Sequence, residues 1–135
     1  MNYKNIYLWV EGRAWTLFRN PTAKDFQERR IKIGNNVEIG HGVKIGKDVN
    51  IGDGTKIDIG AEIGNYVEIG NGVEIGNDVV IGVDAKIGDG AKIGYSTVIW
   101  DSVKIKAKQI VKPEEIIEES NDIISRIDKI IRRSK

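Results

Sequence analysis

The sequence predicts an all-β protein in which very short strands coil parallel to one another around a narrow apolar interior. An N-terminal β cap and a C-terminal amphipathic helix flank this coil. Three observations carry that expectation. Isoleucine returns every six residues from Ile33 to Ile105 without a miss. The residue four beyond each of the first twelve isoleucines is Val, Thr or Ala, from Val37 to Val103. Glycine clusters between Gly34 and Gly94, most often directly after the isoleucine, and only Gly12 falls outside that span.

A period of six fits neither the 3.6 of a helix nor the alternation of a flat strand. It fits a short strand followed by a corner. The isoleucine then points inward from the strand, and the Val, Thr or Ala fills the space near the corner. Pairs such as Asp53–Gly54, Asn71–Gly72 and Asp89–Gly90 suit turns that need positive φ. Three hexads make one triangular coil, so residues 31–110 form about four to five coils, each rising about 4.8 Å.

Residues 1–30 stand apart from this pattern. Two apolar runs flank Glu11–Gly12 within 3–18, which predicts a hairpin, and Pro21 to Arg30 reads as a short linking turn or helix. The first coil of a solenoid exposes apolar interior and unpaired strand edge, so a cap is the plain role for these aromatics. A second role is a site for a small anionic ligand, with Arg13, Arg19, Arg29 or Arg30 as counter-charges and Trp15 as a stacking surface.

Residues 111–135 read as a helix. Pro113 suits a first turn, and acids (Glu114, Glu115, Glu118, Glu119) lead into bases (Arg126, Lys129, Arg132, Arg133). Ile116, Ile117, Ile123, Ile124, Ile127, Ile130 and Ile131 supply an apolar stripe.

Stacking at eighteen residues resolves the outer surface into columns. Glu38, Lys56, Glu74 and Lys92 alternate in sign, and Asn50, Glu68, Lys86 and Lys104 are likewise polar. The third column runs Lys44, Glu62, Val80, Val98. With Val83, Tyr95 and Trp100 nearby it makes an apolar patch, the expected subunit interface or dock for the terminal helix, where Ile123, Ile127 and Ile130 would face it.

Composition excludes several functions. Twenty-one basic against 20 acidic side chains, interspersed along the body, disfavour nucleic-acid binding. The absence of cysteine removes disulfides, thiol nucleophiles and thiolate metal sites. No long apolar run suggests a membrane span, and residues 1–10 lack the pattern of a signal peptide, so a cytoplasmic protein is expected.

The repeated Ile-Gly-x-x-Val pattern resembles that of the hexapeptide-repeat family, which includes acyltransferases and the gamma-class carbonic anhydrases. The resemblance covers about residues 31–110. It implies a left-handed coil, against the general preference for right-handed crossovers, and a homotrimer of parallel prisms. Its zinc enzymes need three histidines, and His41 is the single histidine here, so no metal is expected. Its acyltransferases use one histidine as general base, with acyl-CoA in a groove between prisms. His41, in Ile39-Gly40-His41-Gly42, is the residue eligible for that part. Those enzymes also commonly wall the acceptor pocket with a loop inserted between coils, and twelve uninterrupted hexads leave no such loop.

The leading expectation is therefore a non-catalytic trimeric scaffold or binding protein for a protein partner, without cofactor. A minimal acyltransferase using coenzyme A, with His41 as base, and a sequestering protein for a small anionic ligand are the alternatives.

Overall fold

The computed structural model describes residues 3, 5–12 and 14–120. Its body is a three-sided parallel β-solenoid. Fifteen two-residue strands, from β3 (Lys32–Ile33) to β17 (Ile116–Ile117), recur at six-residue spacing and make five coils. Each strand pairs with the strand three further along, so the strands sort into three parallel sheets. The inward isoleucines stack in register, as Ile45 on Ile63 and Ile81 on Ile99, and are almost fully buried. Two buried hydroxyls keep their partners. The Thr55 hydroxyl donates to the Gly70 carbonyl at 2.8 Å, and that of Thr97 to the Lys112 carbonyl at 3.2 Å.

Corners follow one design. A residue with positive φ closes each corner every six residues, from Arg30 (54°) to Lys108 (62°) and Glu114 (64°). The residue after the inward isoleucine meets the coil stacked on it. A Cβ at Gly52 would fall on the Asn71 side chain and the Gly70 backbone, so these glycines answer to close approach rather than to flexibility.

This geometry corrects the expected boundary at 110. The solenoid runs on through β16 (Ile110–Val111) and β17, and residues 111–120 belong to the last coil, not to a helix. Ile105, Val111 and Ile117 continue the inward series. Lys106 and Lys112 stand where earlier hexads have glycine; among the described residues no coil lies over them, so nothing there meets a Cβ. The rest of the expected helix, with Ile123, Ile127 and Ile130, lies outside the described residues.

The hairpin is as expected. Strands β1 (Ile6–Val10) and β2 (Ala14–Phe18) pair antiparallel, and β1 extends one solenoid sheet by pairing with β5 (Lys44–Ile45), giving seven strands in all. Ile6 and Leu8 are fully buried. Helix α1 (Ala23–Glu28) starts at a Thr22–Asp25 capping box and buries Phe26, whose ring meets Tyr3 edge-on at 6.2 Å. Arg29 ties helix to hairpin. Its Nε donates to the Trp9 carbonyl at 2.8 Å, and its guanidinium lies 4.7 Å from the Phe18 ring centre. The aromatic N-terminus thus closes the first coil.

Candidate functional site

The three faces are chemically unlike. On the second face, Glu38, Lys56, Glu74 and Lys92 stack in register, with Lys56–Glu38 at 3.8 Å and Lys92–Glu74 at 3.6 Å. The third face carries Lys86–Glu68 at 3.8 Å. These pairs are exposed, so each adds little stability. The capped face, which bears the hairpin, runs Leu17, Tyr7, Lys44, Glu62, Val80, Val98 and Ile116 on its outer side. It carries the ion pair Lys44–Glu62 at 3.1 Å.

Every exposed large apolar side chain among the described residues, except Ile110, lies on the capped face or at its two bordering corners. Ile59 and Tyr95 stand at the corner shared with the second face. Tyr66, Val83 and Trp100 stand at the corner shared with the third. The structure thus gathers Val80, Val83, Tyr95, Val98 and Trp100 around one face. It adds Ile59, Tyr66 and Ile116, which the sequence reading missed. Ile116 had been assigned to a helix; the eighteen-residue spacing to Val98 was the signal that places it.

His41 occupies the same corner as Ile59 and Tyr95, one coil from Ile59, and its ring is exposed. The Asn5 amide nitrogen and His41 Nε2 stand 3.0 Å apart, within hydrogen-bond distance, a pairing that suits the neutral imidazole with its proton on Nδ1. Beside this corner an open trough of about 560 Å³ follows the second face over all five coils. Gly40, Asp58, Gly76 and Gly94 line its corner side, and its rim carries Lys112 and the pairs Lys56–Glu38 and Lys92–Glu74.

The proposed anion site is not assembled as a unit. Arg30 is committed to Asp48 through two guanidinium–carboxylate hydrogen bonds, the second at 2.9 Å. Trp15 packs edge-on against Trp9 at 5.6 Å. Arg19 is exposed beyond β2, and Arg13 lies outside the described residues. The Arg30 hydrogen bonds hold the Asp48 carboxyl below the usual carboxylate range, and Lys47 does the same to Glu11 across 2.8 Å. No cluster of three metal-ligating side chains exists among the described residues. No described helix is long and apolar enough to cross a membrane.

The family model described as bacterial transferase hexapeptide (six repeats) matches residues 48–83. No curated protein sequence matches the chain. Two similar solved structures are mutants of perosamine N-acetyltransferase from Caulobacter crescentus, each in complex with CoA and GDP-perosamine. They are 24% and 25% identical, both with a TM-score of 0.67 over 67% of this chain. The chain spans 43% of the length of each. Its repeat over residues 48–83 matches that of the hexapeptide transferases, and its fold is similar to that of these solved structures. Both neighbours are acetyltransferases, so the non-catalytic scaffold placed first by the sequence gains no support from them.

Proposed function

We propose that this chain is the β-helical unit of a trimeric acyltransferase that takes its acyl group from acyl-CoA, with His41 as general base. The observation that carries the reading is the pose of His41. Its Nε2 stands 3.0 Å from the Asn5 amide nitrogen, beside the open trough of the second face. The Asn5 amide stands where an acceptor N–H or O–H would stand. On displacing it, an acceptor gives its proton to Nε2 as its nitrogen or oxygen attacks the thioester carbonyl. The carbon–sulfur bond then breaks, and the thiolate leaves with the proton returned by the imidazolium. Lys112 offers charge to the phosphates of the donor, and Lys56 and Lys92 would do so by exchanging their Glu38 and Glu74 partners. The CoA-bound neighbours support this choice of donor.

Assembly follows from the apolar distribution. With the capped face turned toward a three-fold axis, the Ile59–Tyr95 border of one subunit meets the Tyr66–Val83–Trp100 border of the next. Such a head-to-tail contact closes into a ring. It also puts His41, on the first border, at the subunit contact. A cytosolic setting follows from the use of acyl-CoA.

The test is thiol release from acetyl-CoA with a panel of amine and hydroxyl acceptors. Turnover by the wild type is expected to fall by about 10²–10⁴ in His41→Ala, while native mass spectrometry still reports trimers. Unchanged turnover in that variant refutes the role of His41. One observation favours a non-catalytic scaffold as the second reading: no loop interrupts the hexads to wall an acceptor pocket. Trimers that show no acyl-CoA binding by calorimetry would establish it.

A further inference from the structure

We propose that Asn71–Gly72 is a modification site of the prism, held back from deamidation by the stacked corner and disruptive once converted. It is the one Asn-Gly pair in the sequence. In such a pair the glycine nitrogen attacks the asparagine side-chain carbonyl carbon. A succinimide forms and ammonia leaves. Water then opens the ring at either carbonyl to give aspartate or isoaspartate. Glycine permits this most readily because it has no side chain to hinder the approach.

In the folded corner both reacting groups are held by the coil stacked against them. Asp53 N–H donates to Asn71 Oδ1 at 2.8 Å. Gly72 N–H donates to the Asp53 carbonyl at 2.8 Å. The nucleophile is therefore engaged, and the carboxamide is turned toward the neighbouring coil. Asn71 N–H in turn donates to Asp89 Oδ1 at 2.8 Å, so its own backbone is pinned from the other side. Asn71 is exposed, so the water that completes the reaction is at hand. Conversion thus waits on local opening of this corner, and its rate reports the opening equilibrium.

The same column explains why conversion is damaging. Asn35, Asp53, Asn71 and Asp89 stack one per coil, each Oδ1 from Asp53 onward accepting from the backbone N–H one coil before. Neutral and charged side chains alternate. Aspartate at 71 places three carboxylates on successive coils about 4.8 Å apart, and like charges so stacked repel. Isoaspartate goes further. It adds a carbon to the main chain just before Gly72, whose φ of 64° closes the corner.

The experiment ages the folded wild type, the urea-unfolded chain and Gly52→Ala at mildly alkaline pH, and maps peptides by mass spectrometry. A Cβ at position 52 falls on the Asn71 carboxamide and evicts it. Conversion at Asn71 is expected about tenfold or more faster in the unfolded chain than in the folded one, and faster in Gly52→Ala than in the wild type. Equal rates in folded and unfolded chains overturn the proposal. Should Gly52→Ala not fold, thermal melts of Asn71→Asp and Asn71→Asp/Asp89→Asn decide the second half. The single change is expected to lower Tm and the double change to recover part of it. An unchanged Tm in Asn71→Asp refutes the disruption.

Discussion

At the scale of the residue, the cap is held by side chains whose charges are spoken for. Arg30 and Asp48 form a two-bond pair, and Lys47 reaches Glu11 on the hairpin. Both carboxyls sit below their usual range because a cation donates to them. A carboxyl with a depressed folded pKa stabilises the fold above its unfolded value and loses that contribution as pH falls through the folded one. The pairs therefore weaken below the ordinary carboxylate range. Asp48→Asn is expected to lower Tm at neutral pH and to flatten its decline on the acid side, measured by circular dichroism from neutral to strongly acidic pH. An equal decline in both proteins would show that the pair adds nothing. The residues nominated for an anion site show the limit of composition as a guide. A basic, aromatic N-terminus says that cations and rings are present. It does not say that Arg30 meets Asp48, eighteen residues on, or that Trp15 faces Trp9 across the hairpin.

The element of this protein is the hexad, and a hexad is legible when its packing constrains it twice. From Ile33 to Gly94 the inward isoleucine and, at every hexad but that of Asp58, the glycine after it both report it, because another coil lies on each of these corners. After Gly94 the second signal stops, with Trp100, Lys106 and Lys112 in its place, while the first continues through Val111 and Ile117, so the last coil resembles the start of an acidic helix. Backbone geometry shows that the corners are unchanged there: Lys108 and Glu114 hold positive φ like those before them. A side chain in that conformation costs about 1–2 kcal/mol, part of which glycine returns through its greater freedom when unfolded. Lys108→Gly is accordingly expected to raise stability by about 0.5–1 kcal/mol in urea denaturation. A loss of stability would show that the side chain makes contacts worth more than the strain. His41 was readable as a candidate by elimination, as the single histidine. Its partner was not, since Asn5 comes to it through the hairpin rather than through the repeat.

Across the whole molecule two different periods are superimposed. The backbone repeats after one coil, since every ladder bond joins residues on adjacent turns. The charges repeat after two: Glu38, Lys56, Glu74, Lys92 on a face, and Asn35, Asp53, Asn71, Asp89 at a corner. Chain length is therefore quantised electrically as well as geometrically. Excising residues 56–73 removes one coil and keeps every strand in register, yet it sets Glu38 against Glu74 and Asp53 against Asp89. Excising 56–91 removes two coils and sets Glu38 against Lys92. Per coil lost, the shorter excision is expected to lower Tm more, and added salt to narrow the difference, because only the first leaves like charges stacked. A difference indifferent to salt would mean that geometry alone counts. A solenoid of this kind would lengthen or shorten most readily by pairs of coils, an arithmetic written in its side chains and invisible in its backbone.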